Sequence, residues 1–144
     1  MSTFFKTTFF LIVLLSSSGL IAQPEKEELR AKLEGANFSQ KYEVALNLVY
    51  DKVFIDALYI WQILLEEDPK NANLLFKAGM CYVYLNKDTE ALPYFEKAQY
   101  SVARNYNPAS HLERGAPPEV LYYLAQANHV NGSIDTALMQ YNFF

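Results

Sequence analysis

The sequence repeats a pattern of small and bulky apolar residues at one fixed spacing. The matching pairs, each 34 residues apart, are Ala45 and Gly79, Ala57 and Ala91, Trp61 and Phe95, and Leu64 and Ala98. A period of this length is typical of a helix–turn–helix unit. Because such a unit cannot bury its apolar face alone, its copies stack against one another. The spacing therefore predicts an all-α fold, a right-handed α-solenoid of antiparallel helical hairpins.

The pattern, together with Pro and Gly, divides the chain into segments. The predicted order is a leader or cap helix within 23–37, repeat one at 38–71, repeat two at 72–105, an inserted loop at 106–117 and an incomplete repeat three at 118–144. The expected helices cover 39–50, 54–67, 73–85, 119–130 and a stretch from 134 onward. In repeat two, Asp88 or Thr89 is expected to cap the second helix. Pro93 removes a backbone donor there, which predicts a late start or a slight bend.

The N-terminal residues predict a secretory signal peptide. Lys6 gives a short positive head, residues 7–22 are apolar or small, and a charged run follows at 25–28. This order is typical of an export signal, with cleavage expected after Ala22 and an uncleaved anchor as the alternative. No Cys follows the apolar stretch, so a lipoprotein signal is not supported.

Charge and cysteine content restrict which partners the chain can bind and how it can be stabilised. Residues 23–144 carry 11 Lys and Arg against 16 Asp and Glu, a net charge of −5. This balance argues against nucleic acid and anionic membrane surfaces as partners. Cys81 is the only cysteine, so an exported chain would have no internal disulfide and would depend on helix packing.

The repeats resemble the tetratricopeptide-repeat (TPR) family. Repeat two carries its small and aromatic positions at Gly79, Tyr82, Ala91, Phe95 and Ala98. Repeats one and three depart from the pattern, with Leu48 and Asn128 where the family has an aromatic residue. The resemblance implies a concave surface that binds a protein or peptide. The groove residues that it implies are Tyr42, Tyr50, Phe76, Met80, Tyr84, Tyr122, Gln126 and His129. Packing between repeats is the alternative role for these side chains.

A narrower resemblance points to the bacterial cell envelope. The stretches 68–82, 91–98 and 116–127 are similar to the N-terminal part of envelope proteins in which a signal peptide and TPR repeats precede a β-propeller and an OmpA-like peptidoglycan-binding domain. The resemblance implies an exported scaffold in the periplasm, associated with the outer membrane. Peptidoglycan would be bound only through domains absent from this chain. The apolar, uncharged end 139–144 adds the expectation that the chain is a fragment whose last helix frays.

The residues give little support for enzymatic chemistry. Cys81, His111 and His129 lack the short spacing of metal ligands, and Cys81 is expected to be buried. Glu66, Glu67 and Asp68 end an amphipathic helix, where a solvated face is the default. We therefore expect no catalytic residue, no cofactor, no metal and no small-molecule substrate. The leading hypothesis is an interaction module, the alternative is a structural spacer for downstream domains, and an enzyme subunit is a weaker third.

Overall fold

In the computed structural model, residues 22–142 are described, with side chains from 26 to 142. The predicted signal peptide lies almost entirely outside these residues. The regular elements of the described part are all helices, which confirms the all-α prediction. They are α1 (Ala22–Lys32), α2 (Phe38–Tyr50), α3 (Phe54–Glu67), α4 (Ala72–Tyr84), α5 (Asp88–Ala98), α6 (Val120–Val130) and α7 (Ile134–Tyr141). None of these helices is both long and apolar enough to cross a membrane.

Three equivalent turns join α2 to α3, α4 to α5 and α6 to α7. We call these the first, middle and last pairs. Each turn places one residue at positive φ: Lys52 at 61°, Asn86 at 57° and Gly132 at 83°. Each also closes with the same backbone hydrogen bond, from Val53 to Leu48 (2.8 Å), Lys87 to Tyr82 (2.9 Å) and Ser133 to Asn128 (2.9 Å). The first two turns lie 34 residues apart and the last two 46 apart, so the spacing that was read from side chains recurs in the backbone.

The small residues lie where the helices of a pair meet. Ala57, Ala91 and Ala137, which occupy the same position in the three pairs, are all buried. In the middle pair, a Cβ added at Gly79 would approach the Phe95 ring to 2.6 Å. The aromatic ring thus fills the space that glycine leaves, as close packing requires. Helices α2 to α7 pack mainly against their neighbours in the chain.

Asparagine side chains cap α2 and α4, the first helices of the first and middle pairs. Asn37 precedes α2 and forms a reciprocal capping box with Gln40. Asn71 precedes α4 and accepts a hydrogen bond from the Leu74 backbone at 3.1 Å. Each cap satisfies backbone donors that the first turn leaves unpaired. These caps set the starts of α2 and α4 one residue earlier than expected.

The prediction for the start of α5 is wrong. Neither Asp88 nor Thr89 caps the helix, because the N-cap is Lys87 and no side chain bonds there. The turn itself sets the start, through Asn86 at positive φ and the Lys87 to Tyr82 hydrogen bond. Pro93 lies inside the helix and does not delay it.

An irregular segment of residues 99–119, the connecting segment, joins the middle and last pairs. It is longer than the predicted loop 106–117 because α5 already ends at Ala98. Its two ends are joined by a parallel bridge between Val102 and Ala116. Ala116 donates to the Ser101 carbonyl at 2.7 Å and accepts from Ala103 at 2.8 Å. These bonds close the segment into a loop that folds back on the helices.

Candidate functional site

The first helices of the three pairs, together with α3 and the connecting segment, line a pocket of about 350 Å³. We call it the Lys77 pocket. Its walls are mainly apolar and aromatic, with Lys77 and Glu119 as the charged side chains. The lining residues are Leu46 and Val49 of α2, Trp61 of α3, Phe76, Lys77, Met80, Cys81 and Tyr84 of α4, Tyr106, Pro108, Pro117 and Glu119 of the connecting segment, and Tyr123 of α6.

Three of the eight predicted groove residues line this pocket, namely Phe76, Met80 and Tyr84. Tyr84 is 51% exposed and stacks on Phe54, with ring centroids 4.6 Å apart. Phe76 lies against the core, since its ring is 6.0 Å from both Phe95 and Tyr123. Tyr84 is therefore the most exposed of these aromatic side chains. Phe76 lines the pocket and also packs against the core.

Tyr42 does not lie on an open surface, which corrects its predicted placement. Its side chain is only 2% exposed, and its ring meets Trp61 edge-on at 5.1 Å. Its hydroxyl donates to the Pro108 carbonyl in the connecting segment at 3.0 Å. Burial raises the pKa of this hydroxyl to about 12. At Tyr42, the connecting segment therefore occupies the position where a partner was expected to bind.

Asn73 is the buried residue that holds the connecting segment. Its side-chain nitrogen donates to the Tyr42 hydroxyl at 3.0 Å and to the Glu113 carbonyl at 3.2 Å. Its side-chain oxygen accepts from the Tyr106 hydroxyl at 2.7 Å. Its backbone N–H donates to the Arg114 carbonyl at 3.3 Å. A fully paired amide of this kind fixes one arrangement of the chains around it.

Charged contacts hold the same segment at its outer edge. Arg114 pairs with Asp68 at 2.6 Å. The adjacent acid, Glu67, pairs with Lys41 at 2.6 Å. The acidic end of α3 is thus engaged in ion pairs, and the exposed Glu66 beside it lies 3.9 Å from Arg30. His111 of the segment approaches the Ser39 hydroxyl, with Nδ1 and Oγ 3.3 Å apart.

The remaining predicted groove residues lie away from the pocket. Tyr50 is exposed at the end of α2, and His129 is exposed near the end of α6. Gln126 is half-buried, and Tyr122 packs beside Tyr123 with ring centroids 5.5 Å apart. In α6 it is Tyr123, not Tyr122, that lines the pocket. The sequence held no signal for this, because the offset of 46 residues that places Tyr123 at the position of Lys77 also places Tyr122 at the position of Phe76, which lines the pocket.

Lys77 is the main electrostatic feature of the pocket. Its ammonium donates to the Pro108 carbonyl at 3.0 Å. It also lies 5.5 Å from the ring centroids of both Tyr42 and Trp61, within cation–π distance. Burial lowers the pKa of Lys77 to about 8, because the apolar surroundings disfavour the charged form. Sequence reasoning missed this residue because a lone lysine in a helix carries no motif.

Cys81 lies next to this cation and is buried, as expected from the sequence. Burial raises the pKa of its thiol to about 12, and the neighbouring Trp61 and Lys77 only partly offset this effect. The thiol is therefore protonated at neutral pH and unsuited to nucleophilic attack. Among residues 22–142, no group of three His, Cys, Asp or Glu side chains is arranged to hold a metal ion.

No protein-family model matches this sequence, and no curated protein matches it either. What the site can do therefore follows from its geometry. The pocket offers aromatic and aliphatic walls, one partly buried cation and an exposed tyrosine. Such a surface is suited to holding an amphipathic group of a ligand.

Proposed function

We propose that this chain is an exported TPR-type module that binds a protein or peptide partner in the bacterial envelope. In this proposal the three helix pairs form a right-handed solenoid and serve as the N-terminal part of an OmpA-family scaffold associated with the outer membrane. The observation that carries the proposal is the Lys77 pocket, which is lined together by residues of α2, α4 and α6, the first helices of the three pairs. In stacked repeat proteins this is the surface used for binding.

The chemistry of the pocket supports a peptide as the ligand. Tyr84 presents about half of its surface beside the apolar side chains of Met80 and Val49. Aromatic side chains of this kind provide large contact areas at low conformational cost and are enriched among residues that dominate binding energy. The pocket is also open enough for a side chain of a partner to enter it.

A spacer without a partner is the second candidate, and one observation favours it. The connecting segment covers Tyr42 and pairs with Asn73, so part of the expected groove is filled by the chain itself. A solenoid closed in this way would still separate and position neighbouring domains. The two candidates differ in whether the exposed part of the pocket has a ligand.

Substitution of Tyr84 tests the binding proposal. We expect Tyr84→Ala to reduce capture of a partner from an envelope extract while lowering the melting temperature only slightly. The matched control is Tyr100→Ala, which removes a tyrosine that is 86% exposed and does not line the pocket. Equal capture by wild type and Tyr84→Ala, together with a clear loss of stability, would favour the spacer.

Export is tested separately. When the chain is expressed in a bacterium with two membranes, the envelope fraction should contain a product that begins at Gln23. N-terminal sequencing of that product is the measurement. A product that retains Met1 and stays in the cytoplasm would contradict the proposed export.

A further inference from the structure

Lys77 has fewer polar partners than its position requires. An ammonium group has three donor hydrogens, and the Pro108 carbonyl takes one of them. Among residues 26–142, no carboxylate lies within 4.0 Å of its nitrogen. The Tyr42 and Trp61 rings provide the remaining close contacts. The cation is thus held in place but is not neutralised.

Comparison with Lys41 shows that this chain can pair a half-buried lysine. Lys41 has a side-chain exposure of 17% and lies 2.6 Å from the Glu67 carboxylate. Lys77 is also half-buried, yet it has no carboxylate partner. Glu119 also lines the pocket, but it is exposed and more than 4.0 Å from the Lys77 nitrogen. Burying an unpaired charge costs free energy, which a ligand carboxylate would offset.

We propose that the Lys77 pocket receives an acidic side chain, glutamate or aspartate, from an extended segment of a partner protein. The carboxylate accepts hydrogen bonds from the free donors of Lys77. Apolar residues beside it in the partner contact Met80, Tyr84 and Val49. This inference rests on the proposed function as a binding module and specifies the chemistry of its partner.

A side-chain carboxylate fits the position of the cation better than a chain terminus does. The Lys77 nitrogen lies over the rings of Tyr42 and Trp61, which are themselves buried, so it belongs to the floor of the pocket. A glutamate side chain reaches such a floor while its backbone stays outside. A terminal carboxylate would require the backbone of the last residue to enter, with loss of its hydration.

Trp61 provides a direct readout, because it is the only tryptophan in the chain and lines the pocket. The probe is a pentapeptide blocked at both ends, Ala-Leu-Glu-Leu-Ala, titrated into the full chain while tryptophan fluorescence is followed. We expect a saturable change at neutral pH. The isosteric peptide with glutamine in place of glutamate should bind about tenfold more weakly, since it lacks the charge-assisted hydrogen bonds.

Three variants distinguish pairing with Lys77 from simple burial. Lys77→Met should weaken binding of the glutamate peptide about tenfold and leave the glutamine peptide unchanged. Lys97→Met, at an exposed lysine of α5, is the matched control and should have no effect. Glu119→Gln should tighten binding of the glutamate peptide about twofold, because it removes from the pocket lining a negative charge that repels the glutamate of the peptide.

The pH dependence supplies a second readout. Binding should weaken as pH rises from 7 to 10, because Lys77 loses its proton near pH 8 in the free chain. The other titratable groups that line the pocket are Glu119, Cys81, Tyr84, Tyr106 and Tyr123. Burial raises the pKa values of Cys81, Tyr106 and Tyr123. The fall in affinity should therefore be absent in Lys77→Met.

Equal binding of the glutamate and glutamine peptides would overturn the inference, and so would the absence of any saturable change with either. Preference for an open C-terminal carboxylate over the glutamate side chain would also overturn it. If Lys77→Met still captures an envelope partner as well as wild type does, the inference fails while the proposed function stands. If the glutamate peptide binds but no envelope partner is captured, the inference stands and the proposed function fails.

Discussion

The middle and last helix pairs share one local structure but differ in how they are covered. In the middle pair, α4 packs against α3, α5 and the connecting segment, and Ala78, Phe95 and Ala98 are completely buried. In the last pair, α7 packs mainly against α6 and leaves Leu138 and Met139 more than half exposed. The same turn therefore yields a tightly enclosed pair in one place and a loosely covered pair in another. Local sequence sets the hairpin, whereas the neighbouring elements set how much apolar surface is buried.

The largest expected difference comes from removing the aromatic residue at equivalent positions. Phe95 is completely buried, and Tyr141, 46 residues later, is half-buried. Phe95→Ala should lower the free energy of unfolding by about 3–5 kcal/mol, because it leaves a cavity that the middle pair cannot close. Tyr141→Ala should cost about half of that or less. Denaturant unfolding measures both free energies. Equal losses of unfolding free energy would contradict the claim that the middle pair is more tightly enclosed than the last pair.

The polar network around Asn73 gives the next largest effect. Asn73→Leu should cost about 2–3 kcal/mol, since it leaves the hydroxyls of Tyr42 and Tyr106 without their buried partner. Limited proteolysis should then cut the connecting segment first. Asn47→Leu is the control, because Asn47 is exposed on α2. Unchanged resistance of residues 99–119 to protease would show that Asn73 does not hold the segment.

Overpacking of the small position sharpens the comparison further. Ala91→Leu should cost about 1–3 kcal/mol, because it forces α4 and α5 apart. Ala137→Leu, at the same position of the last pair, should cost less, since α7 has fewer neighbours to displace. Glu66→Leu on the exposed end of α3 should change stability little. Equal shifts in melting temperature for Ala91→Leu and Glu66→Leu would refute the placement of Ala91 in the contact between α4 and α5.

The smallest effect is a pH dependence that arises in the enclosed region. The pKa of Lys77 is lowered from 10.5 to about 8, so the contribution of this group to stability should rise as pH increases from about 8 to 10.5. The raised pKa of Cys81 acts in the opposite sense, since its contribution is lost as pH rises from 9.0 to about 12. Tyr42 adds a similar loss between pH 10.0 and about 12. Stability should therefore peak near pH 9, and Lys77→Met should abolish the rise below that peak.

Sequence reasoning predicted the parts of the fold that depend on local pattern. The small residues Gly79 and Ala91 predicted the contact between α4 and α5, and Gly132 predicted the last turn. The spacing could not reveal where the connecting segment lies, because its position depends on Asn73 and Tyr42, which are distant from it in sequence. The same limit applies to Lys77, whose role is visible only once Pro108 and Trp61 are brought beside it.

Hydrogen exchange tests most directly the central claim that coverage by neighbours, and not the local hairpin, decides the stability of each pair. In a monomeric sample at neutral pH, the backbone amides of α4 should exchange slowest and those of α7 fastest among the helices of the three pairs. The buried residues of α4 and the exposed apolar residues of α7 predict a large separation between the two. Protection of Ile134–Tyr141 as strong as that of Ala72–Tyr84 would contradict the account.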